Sequence, residues 1–161
     1  KGNSVLNLHL ATAHAPPLLA AKTPLAMALR SECKSSRLYR ELAIVRVGHA
    51  MECPYELDHH APILEQCGFS REQVEAVGNW RARADLFDDR CRAILAFVDA
   101  LATGKGKVDD ATYAEMNRHF DAREIVEIAY NAVIYVANAL FINALAIEID
   151  DAHVRTTPGK F

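Results

Sequence analysis

The chain has 161 residues, of which 51% are hydrophobic and 24% are charged, and its net charge is −3. This size and composition are typical of one globular domain and exclude extended disorder. Lysine and arginine are scattered without a basic stripe, so we expect no nucleic-acid partner.

Nearly every segment has helical period, and no stretch alternates long enough to predict a strand. The sequence therefore predicts an all-α, single-domain bundle of about eight helices over residues 1–161. Capping residues, prolines and glycines set the boundaries. The predicted helices run from Ser4 to about Ala13, Pro16 or Pro17 to about Arg30, about 36 to 50, Pro54 to Cys67, Ser70 toward Val77, Asp88 or Asp89 to Thr103, Asp109 to about Phe120, and Asp121 to about Ile149.

The last predicted helix is apolar on most of its circumference. Its apolar stretch, 125–149, is interrupted by polar residues and falls short of the roughly 20 apolar residues of a membrane span, so we expect no membrane partner. A helix of this kind must be covered on most sides. We expect a neighbouring subunit of a homo-oligomer to cover it; the alternative is a central helix within a monomer.

The four cysteines, Cys33, Cys53, Cys67 and Cys91, are widely spaced. Their low density is unlike that of a secreted disulfide scaffold. We therefore expect reduced thiols and a cytoplasmic protein.

The stretch ECPYELDHH, residues 52–60, concentrates chemically active side chains. On a helix, Cys53, Glu56 and His60 share one face, and the i, i+4 spacing lets the Glu56 carboxylate orient the His60 imidazole. Such a pair suits acid–base chemistry. The alternative is an ordinary surface contact between the two residues.

Cys53 falls at or just before the first turn of this helix. Backbone N–H groups and the helix dipole favour a thiolate at such a position, which is typical of a reactive cysteine. The same position also suits an inert, buried small residue. The sequence leaves both interpretations open.

The segment RELAIVRVGHAMECPYELDHHAPILEQCGFSREQVEAV resembles the carboxymuconolactone decarboxylase family, which includes the alkylhydroperoxidase D-like (AhpD-like) proteins. The best-matched core is 37–77, and the flanking segments resemble longer single-domain members. The resemblance implies an AhpD-like helical fold, a small-molecule substrate, no required cofactor or metal, and a trimer or hexamer.

Hydroperoxidase-type members carry a Glu, then a C-x-x-C pair, then a His four residues after the second Cys. Glu41, Cys53 and His60 match three of these positions, and Glu56 replaces the second cysteine. That replacement removes the usual dithiol cycle. Cys53 is then left as a one-cysteine peroxidase that needs an external reductant.

The decarboxylase branch resembles this chain better, because it also has a Glu followed four residues later by a His. The resemblance implies that His60, Glu56 and Glu41 carry out acid–base catalysis, with Cys53 beside them. The expected reaction is decarboxylation or isomerisation of a small carboxylic acid or lactone. We expect the substrate to contact Tyr55, His59 and Trp80.

Two further hypotheses remain open. Glu41, Glu56 and His60, with His49, offer ligands that suit a divalent metal, although our prediction is that no metal is bound. Alternatively, the domain binds a small molecule or serves as an oligomeric scaffold without turnover.

Overall fold

A computed structural model describes residues 5–151 of the chain. This part forms eight α-helices and contains no β-strand, which confirms the all-α prediction. The helices are α1 (Asn7–Ala13), α2 (Pro16–Ser31), α3 (Arg37–Ala50), α4 (Pro54–Gln66), α5 (Arg71–Ala76), α6 (Asp89–Ala102), α7 (Asp110–His119) and α8 (Ala122–Ala144), and a 3₁₀ segment, Val77–Leu86, follows α5.

Four helices begin at side-chain caps that the sequence predicted. In each case a hydroxyl or carboxylate oxygen accepts a hydrogen bond from a backbone N–H of the first turn. The predicted Ser4 cap and the tail after residue 151 lie outside the described residues. The confirmed caps are Ser70, Asp88, Asp109 and Asp121, of which Ser70 and Asp121 form full capping boxes with Gln73 and Glu124.

Two regions differ from the sequence prediction. Helix α8 ends at Ala144, five residues before the predicted Ile149, because Ala146 turns the chain with a φ of 49° and the Ile147 N–H bonds back to the Ile142 carbonyl. No helix was predicted for the segment after α5. It forms 3₁₀ turns that are interrupted at Asn79 and Arg83.

Helix α3 lies at the centre of the bundle, where it packs against α4, α6 and α8. Its side chains Leu42, Val45 and Val47 are fully buried. Truncating a buried leucine of this kind to alanine costs about 2–5 kcal/mol of stability. A smaller apolar cluster joins the start of α4 to α1 and α8, and consists of Leu8, Cys53, Tyr55, Ala139 and Ile142.

Helix α8 has 23 residues and is long and apolar enough, by length and composition alone, to cross a membrane. The expectation that no apolar stretch is long enough for a membrane span was wrong by length and composition, because α8 contains too few polar residues to lower its mean hydropathy below that of a span. Those polar residues bond to the rest of the bundle. Glu127 accepts hydrogen bonds from the backbone N–H groups of Lys34 and Ser35, and Asn131 donates one to the Arg40 carbonyl.

Candidate active site

Three ionisable side chains from two neighbouring helices meet between α3 and α4. Nδ1 of His60 lies 2.7 Å from Oε2 of Glu41, and Nε2 of His60 lies 3.5 Å from Oε2 of Glu56. The imidazole is therefore held between two carboxyl groups, one on each ring nitrogen. All three side chains are largely shielded from solvent, with exposed fractions of 13%, 9% and 3% for His60, Glu41 and Glu56.

The shorter contact assigns the orienting role to Glu41. Its ionised carboxylate accepts a hydrogen bond from the Nδ1–H of His60, which leaves Nε2 directed at Glu56. The sequence predicted that Glu56 orients the imidazole and that Glu41 supports it. The geometry exchanges the two roles, because helix α3 brings Glu41 closer to the ring than the i, i+4 spacing brings Glu56.

The two carboxyl groups have opposite protonation tendencies. Burial raises the pKa of Glu41, but the hydrogen bond and charge of His60, together with Arg37, outweigh it and hold the pKa below its ordinary value. Burial also raises the pKa of Glu56, and His60 and Lys22 offset this only in part, so it stays above its ordinary value. Because their pKa values are shifted in opposite directions, Glu41 suits the role of an ionised partner of the base, and Glu56 suits the role of the acid.

Glu56 also carries an unsatisfied atom. Its Oε1 is buried and has no hydrogen-bond partner among the described residues. An unpaired polar atom in a protein interior costs about 1–3 kcal/mol. A substrate group that hydrogen-bonds this oxygen would remove that cost.

Cys53 is the N-cap residue of α4 and is fully buried. Burial raises the pKa of its thiol, and the backbone N–H groups of Glu56 and Tyr55 offset this only in part. The residue before it, Glu52, has a left-handed φ of 48°. Burial and the raised pKa both favour the inert interpretation of Cys53 over the reactive one. All four cysteines, Cys33, Cys53, Cys67 and Cys91, are free thiols.

Tyr55 and His59 converge on Asp150, a residue that the sequence analysis missed. The Tyr55 hydroxyl donates to Oδ2 of Asp150 at 2.5 Å, and Nε2 of His59 lies 2.9 Å from the same oxygen. Asp150 is itself buried and accepts a third hydrogen bond from the Asn7 N–H. These contacts join Asp150, near the end of the described residues, to α1 and α4. Tyr55 also borders a surface cavity of about 340 Å³ with Pro54 and Ile142.

Trp80 belongs to a different cluster. Its indole N–H donates to Oδ2 of Asp99 at 3.1 Å, and the guanidinium of Arg81 lies over its ring. Arg46 binds the other oxygen of Asp99. No described contact joins Trp80 to Glu41, Glu56 or His60.

Helices α2 and α8 bring further polar groups to the site. The Lys22 ammonium donates to Oδ1 of Asn138 at 3.0 Å, and its charge lowers the pKa of Glu56. The ring of Tyr135 stands almost perpendicular to that of His60, with centroids 4.9 Å apart. The sequence contains no local signal for Lys22, because 116 residues separate it from Asn138.

The described residues contain no group of three or more His, Cys, Asp or Glu side chains arranged to hold a metal ion. Both ring nitrogens of His60 are directed at carboxyl oxygens. His49, the fourth proposed ligand, packs closely against Gly78, where a Cβ atom would lie 2.8 Å from its Nδ1.

Similar proteins support this fold. The chain is 27% identical over 108 residues, 67% of its length, to YnjA of Escherichia coli K12, an uncharacterised protein, and the match spans 59% of that relative. It superposes with a TM-score of 0.80 and 18% identity on ATU0492 of Agrobacterium tumefaciens, a protein of unknown function and candidate AhpD antioxidant defence protein, covering 88% of this chain and 96% of that one. It superposes with a TM-score of 0.78 and 22% identity on the debrominase Bmp8, covering 94% and 80% of the two chains.

The structural similarities establish an AhpD-like helical fold. The model of the carboxymuconolactone decarboxylase family matches residues 16–100, more than half of the chain, and the matched part contains Glu41, Cys53, Glu56 and His60. The resemblance predicted from the sequence is thereby confirmed, and the chain belongs to the carboxymuconolactone decarboxylase family.

Proposed function

We propose that the protein is an enzyme that decarboxylates or isomerises a small carboxylic acid or lactone by acid–base catalysis. One observation carries the proposal. His60 lies between Glu41, which is ionised and orients the imidazole, and Glu56, which is buried and has a raised pKa. Such a site can remove a proton at one atom and return one at another.

In the proposed decarboxylation, the C–C bond to the substrate carboxylate breaks and carbon dioxide leaves. The electron pair stays on the substrate, where a conjugated carbonyl group accepts it. The imidazolium of His60 or the carboxylic acid of Glu56 then delivers a proton to carbon. Glu41 stabilises the charged imidazole while it carries the proton. In an isomerisation, His60 removes the proton that it later returns.

The test is a screen of unsaturated acids and lactones, followed by ultraviolet absorbance and carbon dioxide release. For a substrate found in this way, we expect Glu56→Gln and His60→Ala to lower kcat by about 100-fold or more. Cys53→Ser is the matched control, and we expect it to retain turnover. Unchanged turnover in both Glu56→Gln and His60→Ala would refute these roles.

A thiol peroxidase is the alternative function, because Cys53 occupies a cysteine position of the hydroperoxidase-type relatives. Its test is consumption of an organic hydroperoxide with excess dithiothreitol. Turnover that Cys53→Ser abolishes would replace the acid–base proposal with a peroxidase. Ligand binding without turnover in either assay would favour the third alternative, a non-catalytic binding protein.

We also propose that the protein assembles as a homo-oligomer, a trimer or a hexamer. An apolar stripe runs along one exposed face of α8, where Val126 and Leu140 are 65% and 56% exposed and Tyr130 and Val133 lie between them. Contiguous apolar patches of this kind often mark protein interfaces. Light scattering coupled to size-exclusion chromatography tests it: we expect three or six protomers, and Val133→Glu should lower the mass. A monomeric wild type would refute the assembly.

A further inference from the structure

Helix α2 brings a positive charge to the candidate site. Lys22 extends from α2 toward α8, where Asn138 holds its ammonium at 3.0 Å. Asn138 is a neutral partner. Glu56 is the carboxylate whose charge acts on Lys22, but the two form no ion pair within the described residues.

A half-buried ammonium without a paired anion is unusual. Moving a charge out of water costs free energy that an opposite charge normally offsets. Burial lowers the pKa of Lys22 from its ordinary value, and Glu56 offsets this only in part. An anion bound at Lys22 would supply the compensating charge.

A second, independent observation points to a ligand at the same place. Oε1 of Glu56 is buried without a hydrogen-bond partner among the described residues. The charge of Lys22 reaches this carboxyl group, and Tyr135 faces His60 beside it. A molecule seated against Lys22 would therefore meet the reactive groups at its other end.

Helix α2 packs loosely against the rest of the bundle. It contains no fully buried residue, whereas α3, α6 and α8 each bury several. Its packing is mainly with α1. Of these four helices, α2 is therefore the least tightly packed.

We propose that Lys22, positioned by Asn138, binds the carboxylate of the substrate and thereby selects small organic acids over their uncharged analogues. The proposal rests on the function proposed above and assigns its substrate class to one residue. Lys22 binds one end of the substrate and Tyr135 lies along its body. The reacting carbon then lies beside His60 and Glu56.

The experiment measures binding without requiring turnover. The probes are 5-oxotetrahydrofuran-2-carboxylate, a lactone with one carboxylate, and its uncharged carboxamide. Their dissociation constants are measured by NMR titration with the full chain. We expect the wild type to bind the carboxylate about tenfold more tightly than the carboxamide, the difference expected of one charge-assisted hydrogen bond.

Three variants and one control separate recognition from folding. Lys22→Met should abolish the preference for the carboxylate, Lys22→Arg should retain most of it, and Asn138→Ala should weaken it. Lys107→Met removes the same charge from an exposed loop residue and should leave the preference unchanged. Circular dichroism shows whether each variant is folded.

Equal affinity of the wild type for both probes, no binding of the carboxylate, or an unchanged preference in folded Lys22→Met would each overturn the role of Lys22. Those outcomes leave the acid–base function open, because Glu56→Gln and His60→Ala test it separately. Conversely, a preference that depends on Lys22, together with unchanged turnover in both of those variants, would support the binding site and reject the catalytic roles.

Discussion

Glu41 and His60 are 19 residues apart in sequence, and their Oε2 and Nδ1 atoms are 2.7 Å apart in the fold. This contact joins the two helices that form the site. It fixes which nitrogen of the imidazole faces Glu56, and it keeps one carboxylate ionised beside a second carboxyl group that favours its proton. Each of these consequences can be measured.

Glu41→Gln should lower the stability of the protein by about 2 kcal/mol at pH 7, because it removes a charge-assisted hydrogen bond. The pKa of Glu41 is lowered in the fold. Its contribution is therefore present above the ordinary carboxyl value of 4.5 and is lost as the pH falls through the lower folded value. Urea unfolding at pH 7 and pH 3 measures the difference. Arg37→Gln, which alters an exposed partner of the same carboxylate, is the control and should have little effect.

Glu56→Gln should show the opposite dependence on pH. The pKa of Glu56 is raised in the fold, so its contribution to stability is present below the ordinary value of 4.5 and is lost as the pH rises through the folded value. The free energy of unfolding of the variant should therefore increase relative to that of the wild type as the pH rises from 4.5 toward neutrality, by about 1–2 kcal/mol. Urea unfolding across this range measures the gain. Parallel stability curves for the two proteins would contradict the raised pKa.

Cys53 should react slowly with alkylating reagents in the native protein. Cys53 and Cys91 are buried, whereas Cys33 and Cys67 are partly exposed. We expect Cys33 and Cys67 to be labelled by iodoacetamide at least about tenfold faster than Cys53, because access limits the reaction. Peptide mass spectrometry of timed samples measures each site, with Cys91 as the buried control. If Cys53 reacted as fast as Cys67, its thiol would be accessible and the peroxidase alternative would gain support.

Asp150→Asn should destabilise the protein by about 2–4 kcal/mol. The substitution replaces a buried carboxylate that accepts hydrogen bonds from Tyr55 and Asn7 and contacts His59. Thermal and urea unfolding measure the loss. The neighbouring residue Asp151 is exposed, so Asp151→Asn is a matched control with an expected change near zero. Equal stability of the two variants would show that the Asp150 contacts contribute little.

Local patterns predicted much of the fold. The helix caps could be predicted because a capping side chain and the backbone N–H that donates to it lie within three residues of each other. These caps are Ser70, Asp88, Asp109 and Asp121. The end of α8 could not be predicted, because the residue that turns the chain there, Ala146, adopts a left-handed backbone conformation without being glycine. Residues that lack a special conformational preference give no warning of such a turn.

The candidate site was only partly predictable for a similar reason. The proximity of Glu56 and His60 follows from helical spacing, whereas Glu41 came from the family resemblance because it lies on another helix. Asp150 reaches Tyr55 across 95 residues, and no periodicity encodes that contact. Trp80 was expected to contact the substrate; in the fold its indole N–H donates to Asp99, which lies on another helix.

The hydrogen bond between the Asn7 N–H and Asp150, at 2.7 Å, places the two ends of the described chain side by side. A short engineered linker could therefore join residues 5 and 151. New termini could then be opened in the exposed loop between α6 and α7, around Lys105. Such a circularly permuted protein would retain the helices that carry Glu41, Glu56, His60 and Lys22. A reporter domain could then be attached at the new ends, on the loop between α6 and α7.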